Sequence, residues 1–178
     1  MATTTPAEAT EQRIRDTFRA LFDERDLDRA QEVWSDDSVD HFLALGISVR
    51  GRAALRAFFE DLFAALPDWR LEIERVVASA DHAVVQWTGT GTHTGAAWQG
   101  IEPTGRRVEI RGCDVIRFAD DGTLAENTVY YDAAGFARQI GMLPTAGSAA
   151  DRAMLAAFNA TTKARGRFAR ARAGSAAS

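Results

Sequence analysis

The 178-residue sequence predicts an α+β fold, a curved antiparallel sheet packed against N-terminal helices. Three observations predict it. Apolar residues recur at helical spacing as far as Leu66, and beyond Pro67 the period drops to about two. Helices are therefore grouped ahead of strands rather than alternating with them. Short turn signals separate the later runs, as hairpins require. A composition of 46% hydrophobic and 26% charged residues supplies a core of ordinary size for one domain.

Each element has its own justification. Thr5-Pro6-Ala7-Glu8 reads as a helix start, with Thr5 as cap, Pro6 at the first helical position and Glu8 completing a capping box. Ile14, Phe18, Leu21 and Phe22 continue it as one apolar stripe. A short second helix fits Leu27 to Trp34 behind a capping Asp26, and Val39 to Phe42 reads as a brief strand. Gly51 precedes a third helix, whose Leu55, Phe58, Phe59, Leu62, Phe63 and Leu66 form a wide apolar face until Pro67 stops it. Four alternating runs follow, beginning at Trp69, Ala83, Val108 and Leu124. Gly89 and Gly91 inside the second of these suggest a bend or bulge. Ala133 to Ile140 reads as a short helix ended by Gly141.

Charge divides the chain. Residues 145–178 carry a net +5 and residues 1–144 a net −9. We expect an α+β domain over 1–144 and a basic, partly helical extension over 145–178, where Met154, Leu155 and Phe158 fit one amphipathic helix before a frayed end. The acidic body argues against nucleic acid as a partner. No apolar run approaches the roughly 20 residues of a membrane span, and Met1 to Thr10 lack an apolar signal core. The expectation is a cytoplasmic protein with no membrane partner. Lone Cys113 excludes an internal disulfide, and His41, His82 and His93 show no ligand spacing, so no metal is expected. Nucleophile-elbow, phosphate-loop and dinucleotide motifs are missing, and no cofactor is expected.

Polar residues on apolar strand faces are the candidates for chemistry. On the face formed by Val108, Ile110, Gly112, Asp114, Ile116 and Phe118, Asp114 is the one ionisable group. A buried carboxylate costs several kcal/mol unless it is neutralised or hydrogen-bonded, and desolvation raises its pKa toward that of a neutral-pH base. Its plain alternative is an aspartate tied to a neighbouring donor. His93 shares a strand face with Trp87 and serves either as a proton shuttle or as a hairpin cap; His41, beside Asp40 and Phe42 at the brief strand, is a second candidate whose face is ambiguous. His82, in a turn beside Asp81, reads as exposed. Asn127, Val129 and Tyr131 share one face of the last strand, where Asn127 and Tyr131 suit a carbonyl. Trp34, Trp87, Ile110 and Val129 suit the walls of an apolar pocket, as do Trp69 and Trp98.

These pieces resemble a known family. Gly91-Thr92-His93-Thr94-Gly95, the run Gly100 to Val108, Gly51-Arg52-Ala53-Ala54-Leu55, Pro67-Asp68-Trp69 and Tyr131-Asp132-Ala133-Ala134-Gly135 look like the SnoaL-like polyketide (ester) cyclases, within the nuclear transport factor 2-like folds. The resemblance spans about residues 10–144. It implies a cone-shaped α+β barrel, usually a homodimer, with a deep pocket, and cofactor-independent aldol-type ring closure on a polyketide ester. In that family an aspartate in a His-Trp-Asp pattern of the last strand removes a proton beside a carbonyl. The matching positions here are Asn127, Thr128 and Val129, and Val129 accepts no proton. An epoxide-hydrolase-type Asp-Arg-Asp set is missing too, since Gly89, Trp87 and Val129 occupy its positions.

Three readings follow. The first is a cyclase or isomerase-type enzyme on a small apolar carbonyl ligand, with Asp114 as base and His93 or His41 as acid or orienting group. The second is a non-catalytic hydrophobic-ligand-binding homodimer. The third is a structural dimer whose basic tail docks to a partner.

Overall fold

The computed structural model describes residues 5–175; Met1 to Thr4, the start of the polar N-terminal stretch, and the last three residues of the expected frayed end lie outside the described residues. Helix α1 (Pro6–Phe18) opens on the expected capping box, with Thr5 accepting from the Glu8 amide. It passes into a wider π-type turn, Arg19–Asp23, which keeps Leu21 and Phe22 buried beside Ile14 and Phe18. Asp26 caps α2 (Leu27–Ala30), accepting from Arg29 N at 3.0 Å.

Strand β1 (Trp34–Phe42) starts where the sequence reading still has helix. The polar run Ser35 to Ser38 hides it. Ser38 is fully buried, accepts from the Ser35 amide at 2.8 Å and donates to the Leu124 carbonyl, so this half of the strand pairs irregularly. A hairpin then gives β2 (Ile47–Arg50), an edge strand too short to read from four residues. Helix α3 (Arg52–Ala65) buries Leu55, Phe58, Phe59 and Leu62. The meander β3 (Arg70–Ala78), β4 (His82–Thr92), β5 (Arg107–Phe118) and β6 (Leu124–Tyr131) follows.

One six-stranded sheet results, in the order β2-β1-β6-β5-β4-β3. All its pairs are antiparallel except β1 with β6, which run parallel. That closing pair brings the early strand against the last one, and α1 and α3 bury their apolar stripes on the sheet's inner face.

Gly89 and Gly91 mark no bulge in the β4–β5 pairing. The β4–β5 ladder runs unbroken from His82↔Arg117 to Thr92↔Arg107. The glycines make room for aromatic rings instead. A Cβ on Gly89 would lie 2.5 Å from the Trp69 indole, and one on Gly112 would lie 2.2 Å from the Trp87 indole. Against β4, a register shift falls in β3, between Ile73 and Arg75.

Helix α4 (Ala133–Gln139) ends at Gly141, whose φ of 87° suits glycine. Helix α5 (Ala149–Ser175) is anchored at its start, where Asp151 is buried and accepts from the Gly147 amide at 2.9 Å. The helix expected through Met154, Leu155 and Phe158 forms, and all three side chains are exposed on it. No described helix is long and apolar enough to cross a membrane.

Candidate functional site

Three adjacent strands build the site. β1 and β6 pair Asp40 with Asn127, and β5 and β6 pair Asp114 with Val129 and Ile116 with Asn127. Side chains alternate across a strand, so Asp40, Asn127 and Asp114 all enter the inner face, next to one another. All three are buried. The Asn127 amide bridges the carboxylates through long hydrogen bonds, Nδ2 donating to Asp114 Oδ2 at 3.3 Å and to Asp40 Oδ2 at 3.4 Å. Trp87 lies across Gly112 and donates its Nε1–H to Asp114 Oδ1 at 2.8 Å. Asp40 Oδ1 and Asn127 Oδ1 are buried without a hydrogen-bond partner among the described residues.

Electrostatics separate the two acids. Burial pushes Asp114 up to about 6, held back by its bonds from Trp87 and Asn127. Burial and the neighbouring Asp114 charge push Asp40 up further, to about 7, with Asn127 opposing. Asp114, with two donors, therefore ionises first, and near neutral pH the pair shares one proton. Burial also raises the Tyr131 hydroxyl to about 12, so it remains a donor.

The acids floor an aromatic cavity of about 80 Å³. Phe42, Phe58, Trp69 and Trp98 wall it, and half-buried Leu45, Ile110, Tyr131 and Phe136 form its rim. Phe42 stacks on Phe58 with centroids 4.1 Å apart, and Trp98 meets Phe58 and Phe136 edge-on. On the far side of the same acids, a second chamber of about 50 Å³ faces α1.

The structure places Asp114, Trp87, Ile110, Asn127, Val129 and Tyr131 around this one cavity. It places three other sequence candidates elsewhere. Trp34 stacks on Phe59 with centroids 5.6 Å apart and borders only the α1-side chamber, because it starts β1 well before Asp40. His41 points to the outer face, since Asp40 and Phe42 take the inner positions of β1. There its Nδ1 meets Ser48 Oγ at 2.7 Å and its Nε2 lies 3.6 Å from Glu126. His93 is buried past the end of β4. Its Nε2 sits 3.3 Å from the Ala96 carbonyl and its backbone bonds Gly105 and Arg106, which is the hairpin-capping role. Exposed His82 pairs with Asp81, as the turn suggested. Asp40 escaped the sequence reading, although it shares strand parity with Phe42. Among the described residues no cluster of three His, Cys, Asp or Glu side chains could hold a metal ion.

Comparison with known proteins agrees with this architecture. The family model described as SnoaL-like polyketide cyclase matches residues 12–140. No curated protein matches the chain. Among solved structures, TsrD from Streptomyces laurentii is 26% identical with a TM-score of 0.65, covering 76% of this chain and 97% of its own. AclR from Streptomyces galilaeus, assigned as a hydroxylase, is 26% identical at a TM-score of 0.64, covering 76% and 98%. A protein from Jannaschia sp. CCS1, assigned as a SnoaL-like polyketide cyclase, is 25% identical at 0.64, covering 81% and 100%.

Proposed function

Because the chain belongs to the SnoaL-like polyketide cyclase family, we propose that it is a cofactor-independent enzyme of cyclase or isomerase type, moving a proton beside the carbonyl of a small, largely apolar substrate. The observation that carries this reading is the Asp40–Asn127–Asp114 cluster at the floor of an aromatic cavity. Asp114 stands opposite Val129 across the β5–β6 ladder, so an acid one strand away replaces the aspartate that the family pattern puts at position 129.

Two carboxylates sharing one proton supply base and acid together. The ionised member removes a proton from the carbon next to the carbonyl, and the electron pair moves onto the carbonyl oxygen. The protonated member and the Tyr131 hydroxyl donate to that oxygen. The enolate carbon then bonds to a second carbonyl carbon of the same molecule. The alkoxide so formed takes a proton from the pair, which returns to its starting state. Asp40 Oδ1, lacking a partner, is the oxygen free to meet the substrate. Trp87 and Asn127 orient Asp114 as positioning residues. The dry walls keep the near-neutral pKa values that general base work needs.

Half of this reaction is measurable without knowing the product. In D2O the protein should exchange the α-protons of small β-ketoesters, followed by NMR. Asp114→Asn and Asp40→Asn should each slow exchange by about 10²-fold or more. Exchange by both variants at the wild-type rate would overturn the proposal. Ligand binding without any exchange would favour the second reading, a non-catalytic hydrophobic-ligand-binding homodimer, to which Val129 points. In either reading the chain pairs as a homodimer through the outer sheet face and works in the cytoplasm, where lone Cys113 meets no disulfide requirement.

A further inference from the structure

The acid cluster is a negative site without a positive partner. No Lys, Arg or His lines the cavity or the α1-side chamber among the described residues. Neither Asp40 nor Asp114 takes part in an ion pair. A buried charge is expensive until it is neutralised or paired, so the empty cavity favours a guest that brings positive charge. The unpartnered acceptors specify more. Asp40 Oδ1 and Asn127 Oδ1 are both buried without a partner, and once Asp40 gives up its proton both are pure acceptors in need of a donor. Aromatic residues make up half of the lining, and ring faces attract cations of low hydration. Size narrows the choice again. At about 80 Å³ the enclosed space is smaller than the ~150 Å³ apolar cavity that accepts benzene, so the charged group that reaches the acids is compact.

We propose that the cavity is a binding site for a small protonated alkylamine, secondary or tertiary, whose N–H donates to Asp40 Oδ1 while its alkyl groups lie against the aromatic wall. A hydrated metal cation does not suit these walls, and a quaternary ammonium satisfies the charge but leaves the acceptors unpaired. This inference goes beyond the ring-closure reading and does not require it, because it concerns binding alone.

The test is a titration of the full-length protein with trimethylammonium, tetramethylammonium and neutral tert-butanol at matched ionic strength, at a pH where the amine is protonated. Calorimetry gives affinity, and the indole N–H resonances of Trp87 and Trp98 report where the guest sits. Trimethylammonium should bind at least tenfold more tightly than tert-butanol, with tetramethylammonium between them, and should shift both resonances. Asp40→Asn should remove the preference for the cation, and circular dichroism would show that this variant keeps its fold. Equal binding of trimethylammonium and tert-butanol, no binding of the amine, a preference intact in Asp40→Asn, or tetramethylammonium binding as tightly as trimethylammonium would each overturn it. The α-proton exchange result is untouched by any of these outcomes, so the two proposals fail separately.

Discussion

Asp40 and Asp114 cost stability where they serve the proposed chemistry. Both folded-state pKa values lie above the ordinary aspartate range, Asp40 near 7 and Asp114 near 6. The native state therefore keeps protons that the unfolded chain releases between about pH 4 and 7, and stability falls as pH rises through that window. At one unit per ~1.4 kcal/mol, Asp40 accounts for a few kcal/mol of that loss. Asp40→Asn should thus melt roughly 5–10 °C above the wild type at pH 8, and the difference should vanish near pH 3, as scanning calorimetry at the two pH values would show. A lower melting temperature for the variant at pH 8 would refute the buried-acid account. Activity should follow the singly protonated pair, with a bell-shaped rate profile whose limbs lie near pH 6 and 7. Of these two residues only Asp114 was legible in the sequence, because β5 alternates cleanly from Val108 to Phe118. Asp40 lies in the stretch read as a four-residue strand, Val39 to Phe42, too short after the polar run Ser35 to Ser38 to settle which face turns inward. The parity that turns Asp40 inward sends His41 outward.

Elements show the same division between local and long-range information. The capping box of α1, the apolar face of α3 and the glycine stop of α4 were legible because each is settled within a few neighbouring residues. The parallel β1–β6 pair was not, since it joins segments some 87 residues apart. The glycines of β4 and β5 were visible, yet their purpose depended on which ring lies over them. Gly112 illustrates the consequence: it faces Trp87 in the ladder and leaves the space that the indole fills on its way to Asp114. Gly112→Ala should displace the ring, because backbone and packed core leave it little room to shift. Losing the Nε1–H bond removes a donor from the charged form of Asp114, so its pKa should rise further. Titration followed by Trp fluorescence should show the lower of the two transitions moving to higher pH, with a destabilisation of about 1–3 kcal/mol. An unchanged transition would mean that Trp87 does not hold the acid.

At the scale of the molecule, two surfaces lie outside the cavity. The extension is basic against an acidic body, its helix α5 begins beyond the family match at residue 140, and its apolar residues Met154, Leu155 and Phe158 are exposed. Trimming residues 153–178, beyond the buried Asp151 that anchors α5, should therefore leave the melting temperature within about 3 °C, because exposed positions contribute little. The outer sheet face is different. Val77, Val84, Val115 and Thr128 form one row across β3, β4, β5 and β6, and Arg75, Gln86, Cys113 and Tyr130 form the next. The three valines and Tyr130 are exposed, at 40% to 61% of their surface. A contiguous apolar patch on a regular sheet calls for cover, and a twofold axis through these rows would lay each valine row on its copy. The wild type should sediment as a dimer. Val115→Asp, placed at the centre of the row, should give a monomer of unchanged circular dichroism, since an unpaired charge is costly in an interface but not on a solvated sheet. The cavity opens on the opposite side of the sheet, so the monomer should keep its α-proton exchange. A wild type that sediments as a monomer would show that the valine row stays solvated.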